Sequence, residues 1–114
     1  MWREQVTFAS SKAIAETLQL NSEFYTVAFQ SRLGRIEWIK PYLENILPEL
    51  AQKNIRRLAV CCPSFVADCL ETLEEIGIRA NQQWKQLGGE YLTLIPALND
   101  NDQWANGILE ICML

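Results

Sequence analysis

At 114 residues the chain is long enough for one domain with one core, and with 49% hydrophobic and 21% charged residues it is globular rather than disordered. A net charge of -4 and the lack of any basic block argue against nucleic acid as the main partner. Histidine is absent, which excludes a complete His-based triad, proton shuttle or metal site within the chain.

The four cysteines, Cys61, Cys62, Cys69 and Cys112, form no Cys-x-x-Cys pair, so zinc and iron–sulfur sites have little support. Cys61 and Cys62 lie in a strand-like run and read as buried, inert thiols of a reducing, cytoplasmic compartment. No apolar run approaches the ~20 residues of a spanning helix, and Met1-Trp2-Arg3-Glu4 lacks the apolar core of a signal peptide.

In chain order, residues 3–19 read as a helix, with Val6, Ala9, Ala13, Thr17 and Leu18 at helical spacing and Glu4, Lys12 and Glu16 free to face water. Phe24 to Phe29, rich in aromatic and β-branched residues, reads as a strand. Residues 30–41 have no clean period; loops of that length in small domains are often functional, and this one combines Arg32, Arg35, Lys40 and Trp38. Residues 42–53 carry Leu43, Ile46, Leu47, Leu50 and Ala51 at helical spacing, and Pro48 implies either a kink or a firm helix that begins near it. Asn54 fits a left-handed stop. Arg57 to Cys62 is nearly continuous in apolar character, as expected of a strand covered on both faces.

Residues 64–77 are expected to form a helix with an apolar face at 66, 69, 70, 73 and 76. On its other face Asp68, Glu71 and Glu75 fall at offsets where side chains lie over one another. Like charges there repel by roughly 0.2–0.5 kcal/mol per pair, and no lysine relieves them. A solvated face, a proton acceptor and a cation path all fit this stripe. Gly77 can end the helix. A further helix over 79–87 centres on Ala80, Trp84 and Leu87 and stops at Gly88-Gly89; Tyr91 to Ile95 reads as a third strand, ended by Pro96. A polar turn then caps a last helix over 102–113, with Trp104, Ile108, Ile111 and Cys112 on its apolar side.

Strands alternating with helices imply a single α/β domain over 1–114, a parallel sheet flanked by helices with right-handed crossovers. Ligands in such sheets collect at the carboxyl ends of the strands. That edge gathers Gln30, Ser31, Arg32, Trp38, Ser64, Asp68, Asn99 and Asp100, with Glu71 one turn down its helix. No Gly-x-Gly-x-x-Gly or Walker loop supports a nucleotide site. Trp38 fits a core aromatic or the wall of a flat apolar pocket. Arg32, Arg35 and Lys40 fit ordinary loop charges or partners for ligand carboxylates.

Three blocks carry a resemblance: Phe29-Gln30-Ser31-Arg32-Leu33-Gly34, Trp38-Ile39-Lys40-Pro41, and the long run from Cys62 to Ile76. With Gly88-Gly89 and Ile95-Pro96-Ala97-Leu98-Asn99 at matching intervals, nearly the whole chain resembles the C-terminal half of bacterial ferrochelatase. That family inserts ferrous iron into protoporphyrin IX, the last step of haem synthesis, in a cleft between two similar α/β domains of the chelatase fold. The resemblance implies that the sheet here is a three-layer, Rossmann-like one. The resemblance implies that Glu71 is the catalytic glutamate, handling protons or metal, and that Glu75 continues the metal-handling acidic line, supported by Asp68. It implies that Gln30, Ser31 and Arg32 lie beside the porphyrin and Trp38 near its edge. Cys69 stands where animal enzymes carry a histidine, so no ligand role carries over to it. Pro48 and Asn54 stand where the family usually has a helix former and a glycine.

Iron and porphyrin are then substrates, with no permanently bound cofactor and no iron–sulfur cluster. A carboxylate in a partly dry cleft is expected to have its pKa raised, further so by neighbouring carboxylates. The family's catalytic histidine, on a strand before the first helix, has no counterpart here. The resemblance therefore implies that the N-terminal domain and one strand lie outside this chain, and that the chain alone is inactive. An exposed sheet edge is expected to promote self-association, and the parent enzyme to contact a membrane surface peripherally. A non-catalytic porphyrin- or metal-binding module, and a chelatase for another metal or tetrapyrrole, stay open beside this reading.

Overall fold

The computed structural model describes residues 2–30 and 39–114. The first helix, α1, spans Trp2–Thr17 and ends where Gln19 turns left-handed, at φ 57°, and Leu20 N–H reaches back to the Ala15 carbonyl. Ala15 is buried, whereas Val6 and Ile14 are exposed. The Phe8 ring meets Phe29 edge-on, with centroids 6.1 Å apart.

The strand expected at 24–29 is reduced to a single bridge. Ser22–Phe24 forms one 3-10 turn, and only Phe29 pairs, parallel to Tyr42. Phe29 donates to the Pro41 carbonyl and accepts from Leu43 N–H, both at 2.8 Å. Pairing goes no further because its partner turns directly into α2, Leu43–Gln52.

Helix α2 continues through Pro48. Proline has no N–H to give the carbonyl four residues back, which is that of Glu44. That carbonyl accepts instead from Gln83 Nε2 at 2.9 Å. The helix closes on Asn54, at φ 61°, with Asn54 N–H on Ala51 O and Ile55 N–H on Leu50 O. This is the paired closure of a left-handed cap, with asparagine in the glycine position.

Strands β1, Arg57–Val60, and β2, Tyr91–Leu94, pair in parallel with Arg57 opposite Tyr91 and Val60 opposite Leu94. The parallel α/β order stands, on a sheet of two strands among the described residues. Its covering is one-sided, contrary to the expectation for 57–62. Leu58, Val60, Leu92 and Leu94 pack on the core, while Arg57, Ala59, Tyr91 and Thr93 are exposed.

The covering comes from one helical run in three parts. It comprises α3, Leu70–Leu73; a π-helical segment, Glu75–Ala80; and α4, Asn81–Gln86. Residues 64–69 are not helical, and Gly77 lies inside the run rather than at its end. The buried stripe is Thr72, Ile76, Ala80 and Trp84, whereas Val66, Leu70 and Leu73 are exposed. Leu47 and Leu92 complete the core around Ile76, Ala80 and Trp84.

Trp84 is fully buried, its Nε1 donating to Arg56 O at 3.1 Å. The two glycines after α4 serve it differently. Gly88 adopts φ 91°, and its carbonyl accepts from Arg56 Nη1. At Gly89 a Cβ would overlap the Trp84 indole at Nε1, so only glycine lets the indole close on the chain. The last helix, α5, Asp102–Cys112, is capped by the Asn101 side chain accepting from Trp104 N–H at 3.2 Å. Among the described residues no helix is long and apolar enough to cross a membrane.

Candidate active site at the carboxyl ends of the strands

The segments leaving β1 and β2 run side by side and are tied by Asp68. Its carboxylate accepts from Asn99 Nδ2 at 3.0 Å, from Thr72 Oγ1 at 2.9 Å and from Ala97 N–H at 3.2 Å. Its own N–H donates to Asn99 Oδ1 at 2.9 Å, and Asn99 N–H reaches Val66 O at 2.8 Å. Asn99 holds a left-handed conformation, φ 51°, which asparagine tolerates better than most residues. The Asn99 and Thr72 hydrogen bonds keep the Asp68 carboxyl below the ordinary aspartate range.

Asp68 therefore does not share a helical stripe with Glu71 and Glu75, as the spacing suggested. It precedes the cap, Cys69, and faces the β2 loop. Cys69 N–H is satisfied at 3.1 Å by Thr72 Oγ1, which is why a hydroxyl residue occupies a buried position of the helix.

Glu71 lies in the first turn of α3 and is exposed. Hydrogen bonds from the Cys69 side chain and from its own backbone N–H hold its carboxyl below the ordinary range. The raised pKa expected of a dry cleft is not found, because burial is the smaller influence at this exposed position. Glu75, at the start of the π-helical segment, is half-buried and engaged at both oxygens. Gln30 Nε2 donates to Oε2 at 2.9 Å, and Arg79 Nη2 lies 3.3 Å from Oε1.

Gln30 also donates to the Glu71 main-chain carbonyl at 2.7 Å. It borders a cavity of about 210 Å³, lined also by Leu43, Glu44, Glu75, Arg79 and Gln83. The structure thus brings Gln30, Glu71 and Glu75 together and sets Asp68 apart on its own latch. Ser31, Arg32 and Trp38 lie outside the described residues.

Expectations for the cysteines hold in part. All four are free; Cys62 is half-buried, but Cys61 is exposed rather than buried, and Cys112, on the last helix, is exposed too. Burial, then the neighbouring Cys61, Asp68 and Cys69, push the Cys62 thiol up to about 11, so it is a protonated thiol near neutrality and a poor metal ligand. Among the described residues no three His, Cys, Asp or Glu side chains converge on a metal-sized site. Sequence reasoning gave no structural role to Thr72 or Arg79. A hydroxyl residue three positions after a helix cap can close the cap's N–H, but with the helix expected from 64 rather than from 70, Thr72 does not stand at that position.

The fold and this edge define an α/β domain in which the acidic start of one helix stands beside two strand-end loops. Comparison with known proteins sharpens that class. The family model for ferrochelatase matches residues 2–113, and the chain belongs to this family. It is 58% identical over 104 residues to a ferrochelatase of Coxiella burnetii, covering 91% of this chain and 29% of that protein. A ferrochelatase of Legionella pneumophila is 55% identical over 104 residues, with 91% and 31% covered. The chain thus spans less than a third of the length of these relatives.

Proposed function

We propose that this chain supplies one wall of a ferrochelatase active site, a lyase that inserts ferrous iron into protoporphyrin IX to form protohaem. Family membership carries the reading, and an exposed, ionised Glu71 at the strand ends supports it. Two N–H protons must leave the porphyrin as the metal enters. An ionised carboxylate facing the ring is an acceptor already in its basic form. A porphyrin laid over Glu71 strips water from it and raises its proton affinity at the moment a proton is released. Ser31, Arg32 and Trp38 are proposed to hold the porphyrin edge. Glu75 is proposed to extend the acidic row along which metal or protons pass.

The rest of the site belongs to polypeptide that the relatives have and this chain does not match. The absence of histidine supports the expectation that the chain alone is inactive. We further propose a cytoplasmic location, peripheral membrane contact of the assembled enzyme, no nucleic-acid partner and no resident iron–sulfur cluster.

The test is metallation of protoporphyrin IX by the purified chain, alone and mixed with a polypeptide spanning the unmatched part of the Coxiella burnetii relative. The chain alone is expected to be silent and the mixture active. Glu71→Gln in the mixture should lower the rate on the order of 10²–10⁴-fold, the usual worth of a positioned proton acceptor. Steady turnover by the chain alone overturns the half-site reading; full activity of Glu71→Gln overturns the role of Glu71.

A further inference from the structure

The resemblance groups Gln30 with the residues beside the porphyrin, but its contacts run the other way. Its backbone is fixed by the Phe29 bridge, where Phe29 exchanges hydrogen bonds with Pro41 and Leu43. From there the carboxamide nitrogen reaches the Glu71 carbonyl at 2.7 Å and Glu75 Oε2 at 2.9 Å. A primary amide has two N–H donors, and these two acceptors match them. The opposite oxygen of Glu75 meets Arg79, whose Nε also lies 2.9 Å from Glu74 Oε1.

The contacts straddle the junction where the helix changes from α to π. There the Glu74 carbonyl takes both Ile78 N–H at 3.2 Å and Arg79 N–H at 2.9 Å, the shared acceptor of a turn that closes one residue late. A helix at such a junction has two pitches open to it. A donor fixed from outside, on both Glu71 and Glu75, selects one.

We propose that Gln30 is a positioning residue for the acidic pair: one amide sets the Glu71 backbone and the Glu75 carboxylate at a fixed separation, and it is not a ring contact. The chemistry of an amide suits this task. A lysine there would neutralise Glu75, and a carboxylate would repel it. What the pair does rests on the ferrochelatase reading; the clamp itself does not.

The test uses the isotope-labelled 114-residue chain and needs neither porphyrin nor iron. The Gln30 side-chain amide protons should move upfield in Glu75→Gln. Gln30→Met, of similar length but without donors, should move the Glu71 carbonyl carbon upfield while the Trp84 and Leu92 amides keep their positions. Exchanging the pair, Gln30→Glu with Glu75→Gln, restores the side-chain bond but not the one to the Glu71 carbonyl, so that carbon should stay displaced. A Glu71 carbonyl unmoved by Gln30→Met, or Gln30 amide protons indifferent to Glu75→Gln, overturns the clamp. In the complemented enzyme Gln30→Met should lower kcat about tenfold with the porphyrin KM within about twofold; a raised KM at constant kcat returns Gln30 to the ring and also overturns it. Should the mixture not metallate porphyrin at all, the ferrochelatase reading fails and the spectra still decide the clamp.

Discussion

Asp68 is where the residue scale departs furthest from the pattern in the sequence. Its spacing from Glu71 and Glu75 suggests a third member of a proton-handling row, yet its carboxylate is occupied by Asn99, Thr72 and Ala97. These donors favour the ionised form, so the folded-state pKa lies below the ordinary value. The sign follows from linkage: stability from this group is fully present above the unfolded pKa, about 4, and is lost as pH falls through the depressed folded value. Asp68→Asn presents only one good acceptor and turns its amide toward the Ala97 N–H or the Asn99 amide. We expect a lower urea midpoint at pH 7, a flatter decline between about pH 5 and pH 2, and convergence of the two curves in acid. Parallel curves for the two proteins would show that Asp68 is not held ionised by these bonds.

At the scale of elements, the helical run from Leu70 to Gln86 explains what the sequence could and could not reveal. Thr72, Ile76, Ala80 and Trp84 recur every four residues. Twelve residues of pure α-helix, at about 100° each, would turn Trp84 away from Thr72 by ~120°. The π-helical segment closes its turns one residue later and removes that drift, keeping all four on the buried face. The face read from α-helical period keeps Ile76 correctly inside but also puts Leu70 and Leu73 there, both of which are exposed.

Features set by local chemistry were legible: the stop at Asn54, the cap before α5, the parallel order of β1 and β2, and α1 and α2 within a few residues. Features set by distant partners were not. Pro48 is accommodated by Gln83, and Phe29 pairs with one residue instead of a strand. The site was readable as a cluster at the strand ends, but its internal wiring depends on Gln30 and Asn99, each some thirty or more residues from its partner.

Gly89 tests the packing of this run, and Gly107 in α5 serves as its control. Gly89→Ala drives a methyl into the Trp84 indole and should cost about 1–3 kcal/mol by overpacking. Gly107→Ala, inside α5 with nothing within 4 Å of a new Cβ, should instead stabilise by about 0.5–1 kcal/mol. Thermal or urea unfolding of both variants checks the pair; equal effects would mean that the Trp84 seat is looser than its geometry implies.

The whole molecule is wider than a closed domain of its length. Its radius of gyration is 15.3 Å, against roughly 13 Å expected for a compact chain of this size, and its extents are 48 × 35 × 24 Å. The excess has identifiable sources. The core gathers behind one face of the sheet, leaving Tyr91 and Thr93 on its other face exposed. Helix α5 carries Leu109 and Ile111 exposed at 58% and 64%. Apolar surface of this kind, beside strands without further partners among the described residues, favours association. In the longer relatives more than two thirds of the polypeptide is available to cover these surfaces.

Alone, the chain is expected to self-associate, its weight-average mass in sedimentation equilibrium rising with concentration. A strictly monomeric species at high concentration would refute this. The same experiment separates the two candidate surfaces. Ile108→Lys combined with Ile111→Lys introduces two charges on one face of α5 without touching the sheet, and should return the chain toward monomer if that face drives assembly. Undiminished association would assign it to the strand edges. In either case, adding the unmatched polypeptide of the Coxiella burnetii relative is expected to compete with self-association; association unchanged by it would mean that the two do not share a surface.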